Sequence, residues 1–141
     1  MAYFSEISEK RLHTCHVDLR FIANAAIKKT DFAVLCGHRG KAAQERAFAE
    51  GNSLARWGES RHNASGDNPP DPSMSDAIDI APYPIIWPNK KTNEPLEYVR
   101  NLKRFVDLAF VFLTIAESHG IDLRWGGQFI NLNDLVHFEL A

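Results

Sequence analysis

Asp134-Leu135-Val136-His137 sets a carboxylate three residues ahead of a histidine, and Glu59-Ser60-Arg61-His62 repeats the offset. Such a pair can share a metal ion or hand a proton from one group to the other. With 18 acidic residues and six histidines in 141 positions, about one such coincidence arises by chance, so spacing alone decides nothing. Context adds weight. Asp134 and His137 lead into a short apolar run near the C-terminus, and Asp79 interrupts another run of strand character, where a charge is disfavoured. His62 stands in a long polar segment. Two histidines and one aspartate could converge on a divalent metal and leave a position for water, as in a catalytic zinc site. The HExxH pattern, in which one helix supplies both histidines, is absent. The plainer alternative is hydrogen-bonded core histidines and a capping aspartate.

A rival cluster is His13-Thr14-Cys15-His16. His13 and His16 would share a helix face, but no second cluster offers a matching CxxC, and a helix N-terminus accounts for the residues equally well. Cys15 and Cys36 give no disulfide framework and are expected reduced and partly buried. Cys36 lies in an apolar run, which should raise its pKa and leave it inert, away from any ligand set. A G-x-S-x-G elbow for serine hydrolysis is also missing.

The elements that must hold these residues are legible in outline. Leu19, Ile22, Ala23, Ala26 and Ile27 recur at helical spacing within 16–29, with Lys28 and Lys29 at the favourable end of the dipole. Residues 32–36 read as a buried strand, and 41–50 as a helix stopped by Gly51. From 52 to 75 the pattern fails among Gly, Pro, Asn and Asp, and a loop of this length is usually functional. Residues 76–81 read as a strand with Ala77, Asp79 and Ala81 on one face and Ile78 and Ile80 on the other. The longest helix spans 96–119, closed by Gly120. Strands at 121–125 and 135–140 flank a Gly126-Gly127 turn. The order lacks regular βαβ alternation. It predicts an α+β fold, a small, mainly antiparallel sheet packed with about three helices.

Composition bounds the rest. A length of 141 suits one domain, residues 1–141, and 45% hydrophobic with 24% charged residues is ordinary for a globular chain. A net charge of −2 without a basic stripe argues against nucleic acid. The most apolar stretch, 108–116, is about half the length of a membrane span. The start, MAYFSEISEKRL, carries charge where a secretory signal needs apolar residues, so folding in a cytoplasm is expected.

Taken in order, Ser60-Arg61-His62, Asp76-Ala77-Ile78-Asp79-Ile80-Ala81-Pro82-Tyr83 and Asp134-x-x-His137-Phe138-Glu139 resemble a known signature. It is the S-x-H…D-A-x-D…D/E-x-x-H-x-E pattern of zinc peptidases of the VanX and VanY kind. That group holds D-Ala-D-Ala dipeptidases and carboxypeptidases, and also single-domain phage endolysins that cut the L-alanyl-D-glutamate bond of peptidoglycan, which this chain resembles most. His16-Val17-Asp18-Leu19, Cys36-Gly37-His38-Arg39 and Leu123-Arg124-Trp125-Gly126-Gly127 match in the same order, so the resemblance spans nearly the whole chain.

The resemblance implies a hedgehog/DD-peptidase-like fold and one Zn2+ held by His62, Asp79 and His137. It makes Asp134 the general base, and Arg39 the partner of a substrate carboxylate. Two neutral imidazoles and one carboxylate would leave the metal site with a charge of about +1, which lowers the pKa of bound water. Glu139 could orient a ligand from behind; for Arg39 the bland alternative is a solvated surface charge. The implied partner is the peptidoglycan stem peptide, the implied setting a monomer made in a phage host's cytoplasm and released through a holin pore. A D-Ala-D-Ala dipeptidase or carboxypeptidase, and a noncatalytic muropeptide-binding zinc domain, are the alternatives. Three departures stand out. From His62 to Asp79 is 17 positions where the family has seven, an insertion of about ten residues. Ser75 replaces a usual glycine. Gln128-Phe129 continues the Gly-Gly turn, and the stretch to Asp134 lacks the acidic residues of a calcium switch.

Overall fold

The structure, a computed structural model, describes residues 2–66, 71–129 and 133–141. Among these residues, four α-helices and four strands follow in the order α1 (Glu6–Leu12), α2 (Val17–Ala26), β1 (Phe32–Cys36), α3 (Lys41–Ala49), β2 (Ala77–Pro82), α4 (Pro95–Ser118), β3 (Leu123–Trp125) and β4 (His137–Leu140), with a 3-10 turn (Gly126–Gln128) after β3. The strands form one sheet in the order β1-β2-β4-β3, with every neighbouring pair antiparallel. The expected α+β class and antiparallel sheet are observed, with one helix more than the sequence suggested.

That extra helix is α1. It buries only Ser8 and Leu12, so no apolar stripe announces it. Its signals are electrostatic and local. Ser5 caps it through the Ser8 N–H, Glu6 and Glu9 occupy its first turn, and Lys10 and Arg11 its last. The His13 and His16 pair is resolved in favour of helix ends. His13 is the C-cap of α1, and the His16 imidazole caps α2 by accepting from the Asp18 N–H at 3.0 Å.

Helices α2 and α4 lie against one face of the sheet. Leu19, Ile22, Ala23 and Ala26 from α2 meet Leu108, Ala109, Phe112 and Ile115 from α4 over Val34, Ile78, Ile80 and Phe138. Burying each large side chain here contributes about 1.5–3 kcal/mol. Gly120, at φ +68°, ends the chain's run along α4 where an L side chain would be strained. The period of two in β2 then turns Asp79 to the opposite face from Ile78 and Ile80. Register completes the placement: Asp79 lies opposite His137 of β4 and, after an irregularity between Val34 and Cys36, opposite Cys36 of β1.

Between α3 and β2 the described residues, 52–66 and 71–76, form no regular element, as the sequence predicted; 67–70 of the inserted loop lie outside them. The loop is anchored where it matters. Arg39 N–H donates to the His62 carbonyl at 2.7 Å, Asp76 N–H to the Arg61 carbonyl at 3.0 Å, and His16 N–H to the Ser75 carbonyl at 2.8 Å. Residues 130–132, part of the stretch bearing on a calcium switch, also lie outside the described residues.

Candidate functional site

His62, Asp79 and His137 come together on the open face of the sheet. His62 Nε2 stands 3.1 Å from Asp79 Oδ1 and 3.3 Å from His137 Nδ1, and His137 Nδ1 stands 3.1 Å from the same Asp79 oxygen. Each imidazole is turned by a partner on its far side. The Gly37 carbonyl accepts from His62 Nδ1 at 2.7 Å, and Glu139 Oε1 accepts from His137 Nε2 at 2.8 Å. With those hydrogen bonds made, both remaining ring lone pairs and a carboxylate oxygen converge on one point. Glu139 is itself held by Arg124 at 2.9 Å and by Arg61 at 3.6 Å.

Three lone pairs at such spacing repel unless a cation sits among them. Zinc–nitrogen bonds of about 2.0–2.1 Å in tetrahedral geometry place neighbouring ligand atoms about 3.3 Å apart, and the triangle here has nearly that edge. The donor set is of the kind zinc takes, and the residues fit the ion. Without metal, protons do the same work. Burial disfavours charge on His62, yet hydrogen bonds to Asp79 and Cys36 and the Asp79 charge lift it to about 10. His137, opposed by burial in the same way, is raised to about 9 by Asp79 and Glu139. Burial would raise Asp79, but the two histidines hold it well below the usual carboxylate range.

Cys36 departs from expectation. Its sulfur, one His62 nitrogen and one Asp79 oxygen all lie within 4.8 Å of one another, so a second donor set shares two residues with the first. Burial pushes its thiol up, but hydrogen bonding to and the charge of His62, with the Arg39 guanidinium, bring it below the ordinary value. The apolar run misled because the irregularity in β1 aligns Cys36 with Asp79. Cys15 is the inert thiol, fully buried and pushed up to about 11 chiefly by desolvation.

Arg39 is no solvated surface charge. Its side chain is 19% exposed, Nη1 donates to Gln44 Oε1 at 3.0 Å, and Nη2 lies 3.8 Å from Asp79 Oδ2 and 3.7 Å from Cys36 Sγ. Asp134 lines the same pocket of about 360 Å³ as Arg39, His62, Asp79 and His137. Burial and the Asp79 charge push its carboxyl above the ordinary range, partly offset by His137. Gly126 lets it come close: a Cβ there would stand 2.3 Å from the Asp134 carbonyl oxygen and 3.1 Å from His137 Cβ. Sequence reasoning missed Gln44, because α3 buries no apolar stripe and nothing in its pattern marks the one polar residue facing in.

Residues 1–139 match the family model described as phage L-alanyl-D-glutamate peptidase. Among solved structures, the chain is similar to the Serratia marcescens L-Ala D-Glu endopeptidase ChiX, with a TM-score of 0.72 and 23% identity. That match covers 99% of this chain and 90% of the other, and at this identity it establishes the fold. None of the curated proteins compared matches the chain in sequence.

Proposed function

Because the chain belongs to the phage L-alanyl-D-glutamate peptidase family, we propose that it hydrolyses the L-Ala–D-Glu bond of peptidoglycan stem peptides with one zinc ion held by His62, Asp79 and His137. The observation that carries this reading is the triangle of donor atoms 3.1–3.3 Å apart, each imidazole turned by a partner behind it. When bound, zinc would polarise the scissile carbonyl and lower the pKa of a water at its open position. Asp134, in the same pocket and with a raised pKa, takes the proton of the attacking water and delivers it to the amine that leaves on the glutamate side. Arg39 pairs with a substrate carboxylate. Glu139 and the Gly37 carbonyl keep the two imidazoles in the tautomers that face the site.

In this reading the protein acts as a monomer, supported by the meeting of Arg39, His62, Asp79, Asp134 and His137 in a single pocket. No described helix is long and apolar enough to cross a membrane. In the lytic role proposed here, the protein is made in the phage host's cytoplasm and reaches the wall through a holin pore. Digestion of purified sacculi with mass spectrometry of the products tests the bond: new L-Ala C-termini and D-Glu N-termini are expected. Release of D-Ala instead would make it a carboxypeptidase, and muropeptide binding without cleavage a noncatalytic domain.

A further inference from the structure

Gln44 is fully buried, and each of its polar groups is in use. Its Oε1 accepts from Arg39 Nη1 at 3.0 Å and from Asn63 Nδ2 at 3.1 Å, while Nε2 donates to Ser53 Oγ at 3.0 Å and to the Ala55 carbonyl. Two donors face the oxygen and two acceptors face the nitrogen, so the amide orientation follows from the network. Burying an amide in this way is costly unless every bond is made, and an apolar side chain would fill the space with less at stake. Ser53 and Ala55 line the same pocket as Arg39, so a single side chain fixes both the guanidinium and the wall beside it.

We propose that Gln44 is a positioning residue that sets Arg39 as a receptor for the free carboxylate of the substrate's glutamate, and thereby determines preference for that carboxylate over its amide. This rests on the function proposed above. A glutamate acylated on its amine and extended through one carboxyl keeps the other as a free anion. To receive it, a guanidinium must be held still and must keep its charge. A glutamate at position 44 would still accept from Arg39 but would neutralise it, and would turn a carboxylate oxygen to the Ala55 carbonyl where the amide now donates. The glutamine oxygen orients Arg39 without adding a second carboxylate to the Asp79 oxygen 3.8 Å away, and so keeps positive charge for the substrate.

The test compares two synthetic L-Ala–D-Glu stem peptides, one with the free carboxylate and one with that group as the amide. The wild type should favour the acid in kcat/KM. In Gln44→Glu, of the same size, and in Gln44→Met, uncharged and of similar volume, that acid-to-amide ratio should fall about tenfold or more, mainly through KM for the acid. Arg39→Met should erase the ratio, and adding Gln44→Glu to it should not change the ratio further. Melting curves establish that each variant is folded. If both folded variants lose activity equally on the two peptides, or keep the wild-type ratio, Gln44 is only a packing residue and the proposal fails. If the wild type cleaves neither peptide, the function proposed for the site fails and takes this inference with it.

Discussion

A carboxylate can serve this site as ligand or as base, and zinc content tells the two apart. Asp79 shares one oxygen between two imidazoles at 3.1 Å, which is a ligand's position. Asp134 lines the pocket with a raised pKa, which suits a base. Asp134→Ala should therefore keep zinc and fold while turnover falls about 10²–10⁴-fold. His137→Ala should lose the metal itself, read by metal analysis of untagged protein. Loss of zinc together with cleavage in Asp134→Ala would make Asp134 a ligand. The Cys36 sulfur needs its own test, because it lies beside His62 and Asp79. Cobalt(II)-loaded protein should show no thiolate-to-cobalt charge-transfer band in the near ultraviolet if the metal takes His62, Asp79 and His137. Such a band, abolished in Cys36→Ser, would place sulfur in the donor set.

At the scale of elements, strand register does what sequence spacing cannot. Asp79 and His137 are 58 residues apart in the chain yet directly opposite in adjacent strands, and a slip of one residue would turn one of them into the core. The period of β2 was legible, as were the long helix and the loop. The resemblance to zinc peptidases named the five candidate residues that the structure brings to one pocket. Other features left no pattern to read. Helix α1 buries one apolar side chain, the Cys36 alignment depends on an irregularity in β1, and Gln44 acts through hydrogen bonds rather than periodicity. Gly126 was visible only as a turn former, whereas its role is close approach. Gly126→Ala must push the Asp134 backbone away from a contact of 2.3 Å and press on His137. A loss of about 1–3 kcal/mol is expected, with weaker zinc binding, checked by denaturant titration and competition with a chelator. A variant as stable as wild type that binds zinc equally well would show that this turn has slack.

For the whole molecule, the zinc proposed here would be coupled to folding through charge. The sheet and the helices behind it form a core independent of the site, so removal of zinc should lower stability without unfolding the chain. Zinc at about a hundred times its dissociation constant adds about 2.7 kcal/mol, or on the order of ten degrees in Tm for a domain of this size. In metal-free protein the two histidines should make stability fall as pH rises, a loss partly offset by the lowered thiol of Cys36, whose linkage has the opposite sign. His62 and His137 have folded pKa values of about 10 and about 9, above the 6.5 of a free imidazole. A group with a raised folded pKa stabilises fully below its unfolded pKa and loses that contribution as pH climbs through the folded value. The metal-free Tm should therefore fall between about pH 6.5 and about pH 10, as protons that neutralise Asp79 are released. Bound zinc supplies the positive charge in their place, so the loaded protein should show a much flatter profile over the same range. Paired calorimetric melts with zinc or with chelator, stepped through that range, measure both slopes. Parallel curves would mean that the two histidines are not charged in the metal-free fold, and that some other group balances Asp79.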